Sequence, residues 1–302
     1  MLSTEQNNLI DATFDRIERL PTLPDISVRI NELVNDPKAS MRQMEAIIEN
    51  DPLMSSTVLK VVNSSFYGMA KEISSLRLAL VILGTREIKN LVLSLTVFRL
   101  FAETKFQQYF DYKQFWFHSA VTGQIAKSLA KNLQIQFEGA DFVGGLIHDI
   151  GKIVLLQNVA DEYLPLLKET TITGNPLWTL EMERFGFHHG HVGGWLALQW
   201  RLPRRLVAAM MYHNEPENTQ QYQSLVSVVS LANALAHQQE EDPSAKDIIP
   251  LIQEHPATDV LMAHVSGLEA INWELFTEEL QTDLEKAWQF VSLSQGGLWQ
   301  TA

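Results

Sequence analysis

The run His148-Asp149-Ile150-Gly151-Lys152 sets an imidazole beside a carboxylate, able to face one cation from a single turn. Lys152, just beyond, is spaced to reach an anion held by that cation. Three further histidines stand on neighbouring segments, His118 upstream and His189 and His213 downstream. Each of those segments has the apolar spacing of a helix. Inward histidines from several helices around one shared carboxylate are the makings of a divalent-metal or di-metal site.

Taken singly, each residue has a plainer reading. His118 follows Phe115-Trp116-Phe117 in an apolar stretch and can be a satisfied core group. Asp149 follows the apolar run Val143 to Ile147, and burying an ionised carboxylate alone costs several kcal/mol. It therefore needs a cation, Lys152 or capping donors. Of His188, His189 and His191, only one or two can face inward, because neighbours on a helix diverge by about 100°. Otherwise they are a solvated helix start. His213 ends a helix, where it can serve the helix dipole, and His237, in a polar run with Gln238 and Gln239, reads as surface.

As a set they say more. Four histidines and one aspartate suit iron, manganese, zinc or nickel better than calcium. Such a metal acidifies bound water and polarises a phosphoryl oxygen, which is the chemistry of phosphoester hydrolysis. Asp149 and Lys152 are then the candidate catalytic pair, with Lys152 neutralising the phosphate. The sequence carries no Gly-rich phosphate loop and no serine nucleophile elbow.

The elements that must position these residues read as helices throughout, so the fold class is all-α. Ser3 with Gln6 forms a capping-box pattern ahead of Leu9, Ile10, Phe14 and Ile17. After the break at Leu20-Pro21-Thr22-Leu23-Pro24, Asp25 can cap a helix carrying Ile26, Ile30, Leu33 and Val34. Ser40 with Gln43 opens another helix, and Asp51-Pro52 supplies an N-cap plus a first-turn proline. Ser75 and Thr85 can cap two more, with Gly84 between them as a stop. A long helix is expected over about Asp111 to Leu133, and a turn at Glu138-Gly139 leads into the helix bearing His148. Gly174-Asn175-Pro176, Gly186 and Leu202-Pro203 punctuate the rest.

Polar stretches at Glu103 to Gln108 and Gln238 to Asp242 divide the chain into three. Residues 1–107 form an N-terminal helical subdomain, and 108–238 a multi-helical bundle with the candidate metal site. Residues 239–302 form a C-terminal helical extension with Trp273, Phe276, Trp288 and Phe290 as apolar anchors.

With 302 residues, 46% of them hydrophobic, the chain can bury a substantial core in one or two domains. It has no cysteine, which excludes disulfides, thiolate metal sites and a cysteine nucleophile. A net charge of −13 argues against a general nucleic-acid binder. The apolar runs are too short to span a bilayer, and the expectation is a soluble cytoplasmic protein.

Several separate motifs resemble one family. Leu20-Pro21-Thr22-Leu23-Pro24, Asn35-Asp36-Pro37, Ile48-Glu49-Asn50-Asp51-Pro52 and Val62 to Gly68 look like the opening of the HD-related output domain, HDOD. Ile73-Ser74-Ser75-Leu76 and Leu83-Gly84-Thr85-Arg86-Glu87 continue it. Phe115 to Ser119, His148 to Lys152 and Trp200-Arg201-Leu202-Pro203 also fit, so the likeness runs from about Ile17 to Ala236. It implies an all-helical HD-like bundle that works in bacterial signal transduction through protein partners. Many members of that family have lost the metal ligands. By resemblance to the related HD-GYP phosphodiesterases, His118, His148, Asp149, His189 and His213 match ligand positions, and Lys152 the lysine. Asn214 stands where a further histidine is expected and Asn233 where a closing aspartate is, and no GYP motif follows His213. A neutral amide is a weaker ligand, so a mononuclear or partly filled site is expected, with turnover suffering more than binding. Two readings follow: a non-catalytic signalling domain that still binds metal, or a phosphohydrolase acting on a phosphorylated small molecule such as a nucleotide or cyclic dinucleotide. A third treats the histidines as structural and the protein as a helical adaptor.

Overall fold

Side-chain caps set the helix starts. In a computed structural model of the chain, which describes residues 24–35, 40–101, 106, 108–241, 248–265 and 271–294, Ser40 accepts from the Gln43 backbone while Gln43 returns the bond to Ser40. That capping box opens α2 (Met41–Glu49), which follows α1 (Asp25–Asn35). Asp51 accepts from Met54 N at 2.8 Å and, with Pro52 in the first turn, starts α3 (Pro52–Val62). Ser75 and Asp111 do the same for α4 (Leu76–Leu100) and α5 (Tyr112–Asn132). The stop expected at Gly84 is a kink rather than a gap: φ +82° and ψ 162° break the helical backbone inside α4 without ending it. The helix expected over Leu9 to Ile17 and most of the Glu103 to Gln108 break lie outside the described residues.

The remaining helices are α6 (Ala140–Ile147), α7 (Ile150–Asn158), α8 (Ala160–Thr173), α9 (Leu177–Phe185), α10 (His189–Gln199), α11 (Arg204–Tyr212), α12 (Gln223–Glu241), α13 (Ile249–Glu254), α14 (Pro256–His264) and α15 (Trp273–Ser294). No strand occurs among the described residues, and none of their helices is long and apolar enough to cross a membrane. The all-α expectation holds. One expectation needs correcting: His148 and Asp149 are not inside a single helix but form the junction between α6 and α7. A helix interior would splay neighbouring side chains by about 100°. The bend at Asp149 (φ −95°, ψ 3°) lets both reach the same point.

The long helix α5 is the spine, with α6, α12 and α15 packed against it, while α7 and α11 pack on α10. Two backbone approaches decide how closely. A Cβ on Gly145 of α6 would lie 2.6 Å from the Gly123 backbone of α5, and a Cβ on Gly151 of α7 would run into the His189 carbonyl of α10. Only glycine permits either crossing. Helix α15 returns to cover the spine and α3. Phe290 packs against Phe66, Phe98 and Phe142 at centroid distances of 5.1, 5.9 and 5.3 Å, and Trp288 stacks on Phe117. The buried Asp283 of α15 accepts from Ser128 Oγ at 2.6 Å and from Gln124. These contacts join the C-terminal helix to both the first helices and the bundle.

Candidate metal centre

Each candidate residue reaches the centre from a different element. His118 projects from the middle of α5, His148 and Asp149 from the α6–α7 junction, His189 from the first turn of α10, and His213 from the C-terminal end of α11. All five are at most 5% exposed. The structure brings every one of them together. Asp149 is the hub: Oδ2 lies 3.3 Å from His148 Nε2 and 3.8 Å from His118 Nε2, while Oδ1 lies 3.0 Å from His189 Nε2 and 3.5 Å from His213 Nε2. The two carboxylate oxygens thus face two half-sites, His118–His148–Asp149 and Asp149–His189–His213, each with its donor atoms within 4.8 Å of one another. Lys152 Nζ lies 2.5 Å from Asp149 Oδ2.

What turns the rings inward is on their far side. His148 Nδ1 donates to the Gly145 carbonyl (2.6 Å), His213 Nδ1 to the Met210 carbonyl (2.8 Å), His189 Nδ1 to Glu181 Oε2 (2.6 Å) and His118 Nδ1 to Glu240 Oε1 (3.1 Å). With the proton on Nδ1 in all four, each Nε2 is a bare lone pair aimed at the centre, the arrangement a metal ligand requires. His148 Nε2 and Asp149 Oδ1 accordingly have no hydrogen-bond partner despite full burial. Acceptors packed against acceptors are costly unless a cation sits among them. The donor set therefore fits a divalent transition metal.

The electrostatics run the same way for Asp149, His118 and His213, and the opposite way for His189. Burial pushes the Asp149 carboxyl up, but His148, Lys152 and His189 outweigh it and hold the group well below the usual carboxylate range. Burial draws His118 down to about 3 and His213 well below its ordinary value, so both stay neutral, as ligands must. Burial also lowers His189, but Glu181 and Asp149 on either side carry it above the ordinary histidine value. Glu181, itself buried, takes the Tyr163 hydroxyl (2.7 Å) on its other oxygen and the His189 backbone N–H. Glu181→Gln is expected to bring the His189 imidazole down toward its neutral form, because it removes the carboxylate that holds that ring above the ordinary histidine value. Titration of the metal-free variant, compared with the parent, checks this.

A second histidine group behaves differently. His188 and His191 stack at 3.8 Å, and their Nε2 atoms face Glu215 at 3.1 and 3.8 Å. Here Nδ1 is the acceptor, from Gly190 N in His188 and from His188 N in His191. Nε2 therefore carries the hydrogen and donates it to the carboxylate. This trio pins the turn after His213 rather than offering lone pairs to a metal. Neither ring forms the solvated helix start that the sequence suggested, since both are buried.

Glu181, Glu240 and Glu215 are functional side chains that sequence reasoning missed. So is His237, which is exposed at the edge of the site with its ring 4.3 Å from that of His118. Nothing local marks them except that Glu181 sits beside Leu180 on an otherwise core-facing turn. A cavity of about 540 Å³ opens onto the centre, with Lys152, Trp178, His189, His213, Asn214 and Asn233 among its walls.

Buried histidines and an aspartate thus converge within an all-helical bundle. The chain belongs to the HDOD family, whose domain model matches residues 20–216. Its structure is similar to that of an HDOD domain protein of unknown function from Geobacter sulfurreducens (TM-score 0.79, 22% identity, 96% of this chain and 99% of that one). It is also similar to a protein provisionally named a phosphohydrolase from Shewanella amazonensis SB2B (TM-score 0.74, 20% identity, 93% and 97% covered). At those identities the likeness speaks for the fold. In sequence the chain is 28% identical over 234 residues to an uncharacterised protein of Treponema pallidum (strain Nichols), covering 77% of this chain. The chain spans 45% of the length of that relative.

Proposed function

We propose that this protein is a signalling module of the HDOD type that binds a divalent transition metal (iron, manganese, zinc or nickel) through His118, His148, Asp149, His189 and His213. On this reading it acts through protein partners rather than by turnover. The observation that carries it is the convergence of four histidine Nε2 atoms on one buried carboxylate, beside two positions filled by asparagine. When bound, the metal would supply Lewis acidity toward water or a phosphoryl oxygen. Asp149 is the one carboxylate in the inner set, because Asn233 and Asn214 bring no charge. Glu181 lies one shell out and spends its charge on His189. A single negative charge favours one ion over the pair that would clamp the attacking and leaving oxygens of a phosphoester.

A second reading, metal-dependent phosphoester hydrolysis, is favoured by Lys152 and by the cavity beside it. There Lys152 would leave Asp149 to neutralise the phosphate, and Asp149 would orient the attacking water. The name of the Shewanella relative accords with this alternative. Metal-loaded protein incubated with bis(p-nitrophenyl) phosphate separates the two. The expected result is release no faster than from the His148→Ala, Asp149→Ala double variant. Metal-stimulated release abolished in that variant would make the protein an enzyme.

A further inference from the structure

The two asparagines beside the centre are turned opposite ways. Asn233 points its carbonyl at His118, with Oδ1 2.9 Å from Nε2. Asn214 points its amide nitrogen at the other half-site, with Nδ2 3.1 Å from His189 Nε2 and 2.9 Å from His213 Nε2. The histidines dictate that second orientation. In the neutral rings that a metal requires, the Nδ1 hydrogens are committed to Glu181 and to the Met210 carbonyl, so both Nε2 atoms can only accept, and they stand 3.3 Å apart. Two lone pairs that close need either a cation or an N–H donor between them. Asn214 supplies the donor.

Building on the metal-binding reading above, we infer that the Asn214 amide occupies the place of a second cation, so that the site holds one metal ion, in the half formed by His118, His148, Asp149 and Asn233. The imidazole nitrogens agree with this division, although Asp149 Oδ1, on the His189 and His213 side, is also buried without a partner. His148 Nε2 is buried without a partner, whereas the Nε2 atoms of His189 and His213 are both met by Asn214. The Asn233 oxygen faces His118 Nε2 as a fellow ligand would, and a cation between the two satisfies both. An amide nitrogen has no free lone pair to give a metal. A cation in the second half would therefore have to turn Asn214 over and break both of its bonds to the rings. Asn214 thus sets the metal count of the site.

Counting metal equivalents tests this without reference to activity. Metal-free, untagged protein is titrated with Mn²⁺ or Zn²⁺ by calorimetry, and the dialysed product is assayed for metal. Wild type is expected to bind one equivalent. Asn214→His and Asn214→Asp each replace the amide nitrogen with a group that can offer a metal a lone pair, and each is expected to bind two. His213→Ala is expected to keep its one equivalent, whereas His148→Ala loses it. Two equivalents in wild type would overturn the inference and leave the metal-binding reading standing. One equivalent in both Asn214 variants, with wild-type helicity, would also overturn it. No metal in any form would overturn the reading beneath it instead.

Discussion

Protein carrying His148→Ala together with Asp149→Ala is expected to retain no tightly bound metal, a loss of affinity well beyond 100-fold. Losing one outer partner of a ligating histidine already costs about 10- to 100-fold. These two changes remove the hub of both half-sites and the imidazole nearest to it, at 3.3 Å. The remaining rings on α5, α10 and α11 then share no anion, and Asp149 is the one charged ligand among them. The fold should survive the change. Lys152, freed of its partner, borders the cavity and can turn into it, so no unpaired charge is left buried. Circular dichroism with metal analysis separates loss of the site from loss of the structure. Full metal retention with native helicity would remove Asp149 from the ligand set.

Gly151→Ala is expected to destabilise the protein by about 3 kcal/mol, the upper part of the range for overpacking. The added methyl would meet the carbonyl and carbon of His189 and the backbone N of Gly193. These are main-chain atoms of α10 that cannot rotate away. Relief requires α7 and α10 to separate, which also displaces Asp149 at the start of α7, so metal affinity should fall with stability. Gly193→Ala, on the opposite helix, is the control. Its new methyl would meet the flexible end of Met210 at 3.3 Å, and loss of a helical glycine compensates for the contact. Denaturant midpoints should move far for Gly151→Ala and little for Gly193→Ala. Equal shifts would contradict the close-approach account.

These cases show which parts of the molecule were legible in advance. The caps at Ser40, Asp51, Ser75 and Asp111 were, because a short polar side chain before an apolar periodic run has one strong local use. So was the set of inward histidines, because a polar ring on the apolar face of a helix must find its partners on other elements. The break between His148 and Asp149 was not, since nothing in Ile147 to Ile150 disfavours a continuous helix. Packing of α7 on α10 decides it. The partners that orient the rings were equally hidden. Two are backbone carbonyls, of Gly145 and Met210, and carbonyls leave no mark in a sequence. Glu181 and Glu240 are distant in the chain from the histidines they hold. The burial of His188 and His191 depends on Glu215, beyond the end of the next helix. The opposed turns of Asn214 and Asn233 follow from ring tautomers, which only the three-dimensional partners fix.

The most direct measurement is X-ray absorption at the metal edge of untagged protein as purified. The account predicts iron, manganese, zinc or nickel at close to one per chain, with imidazole nitrogen scattering and at least one carboxylate oxygen in the inner shell. Protein free of metal even after incubation with each ion, or a bound ion surrounded by oxygen alone, would contradict it.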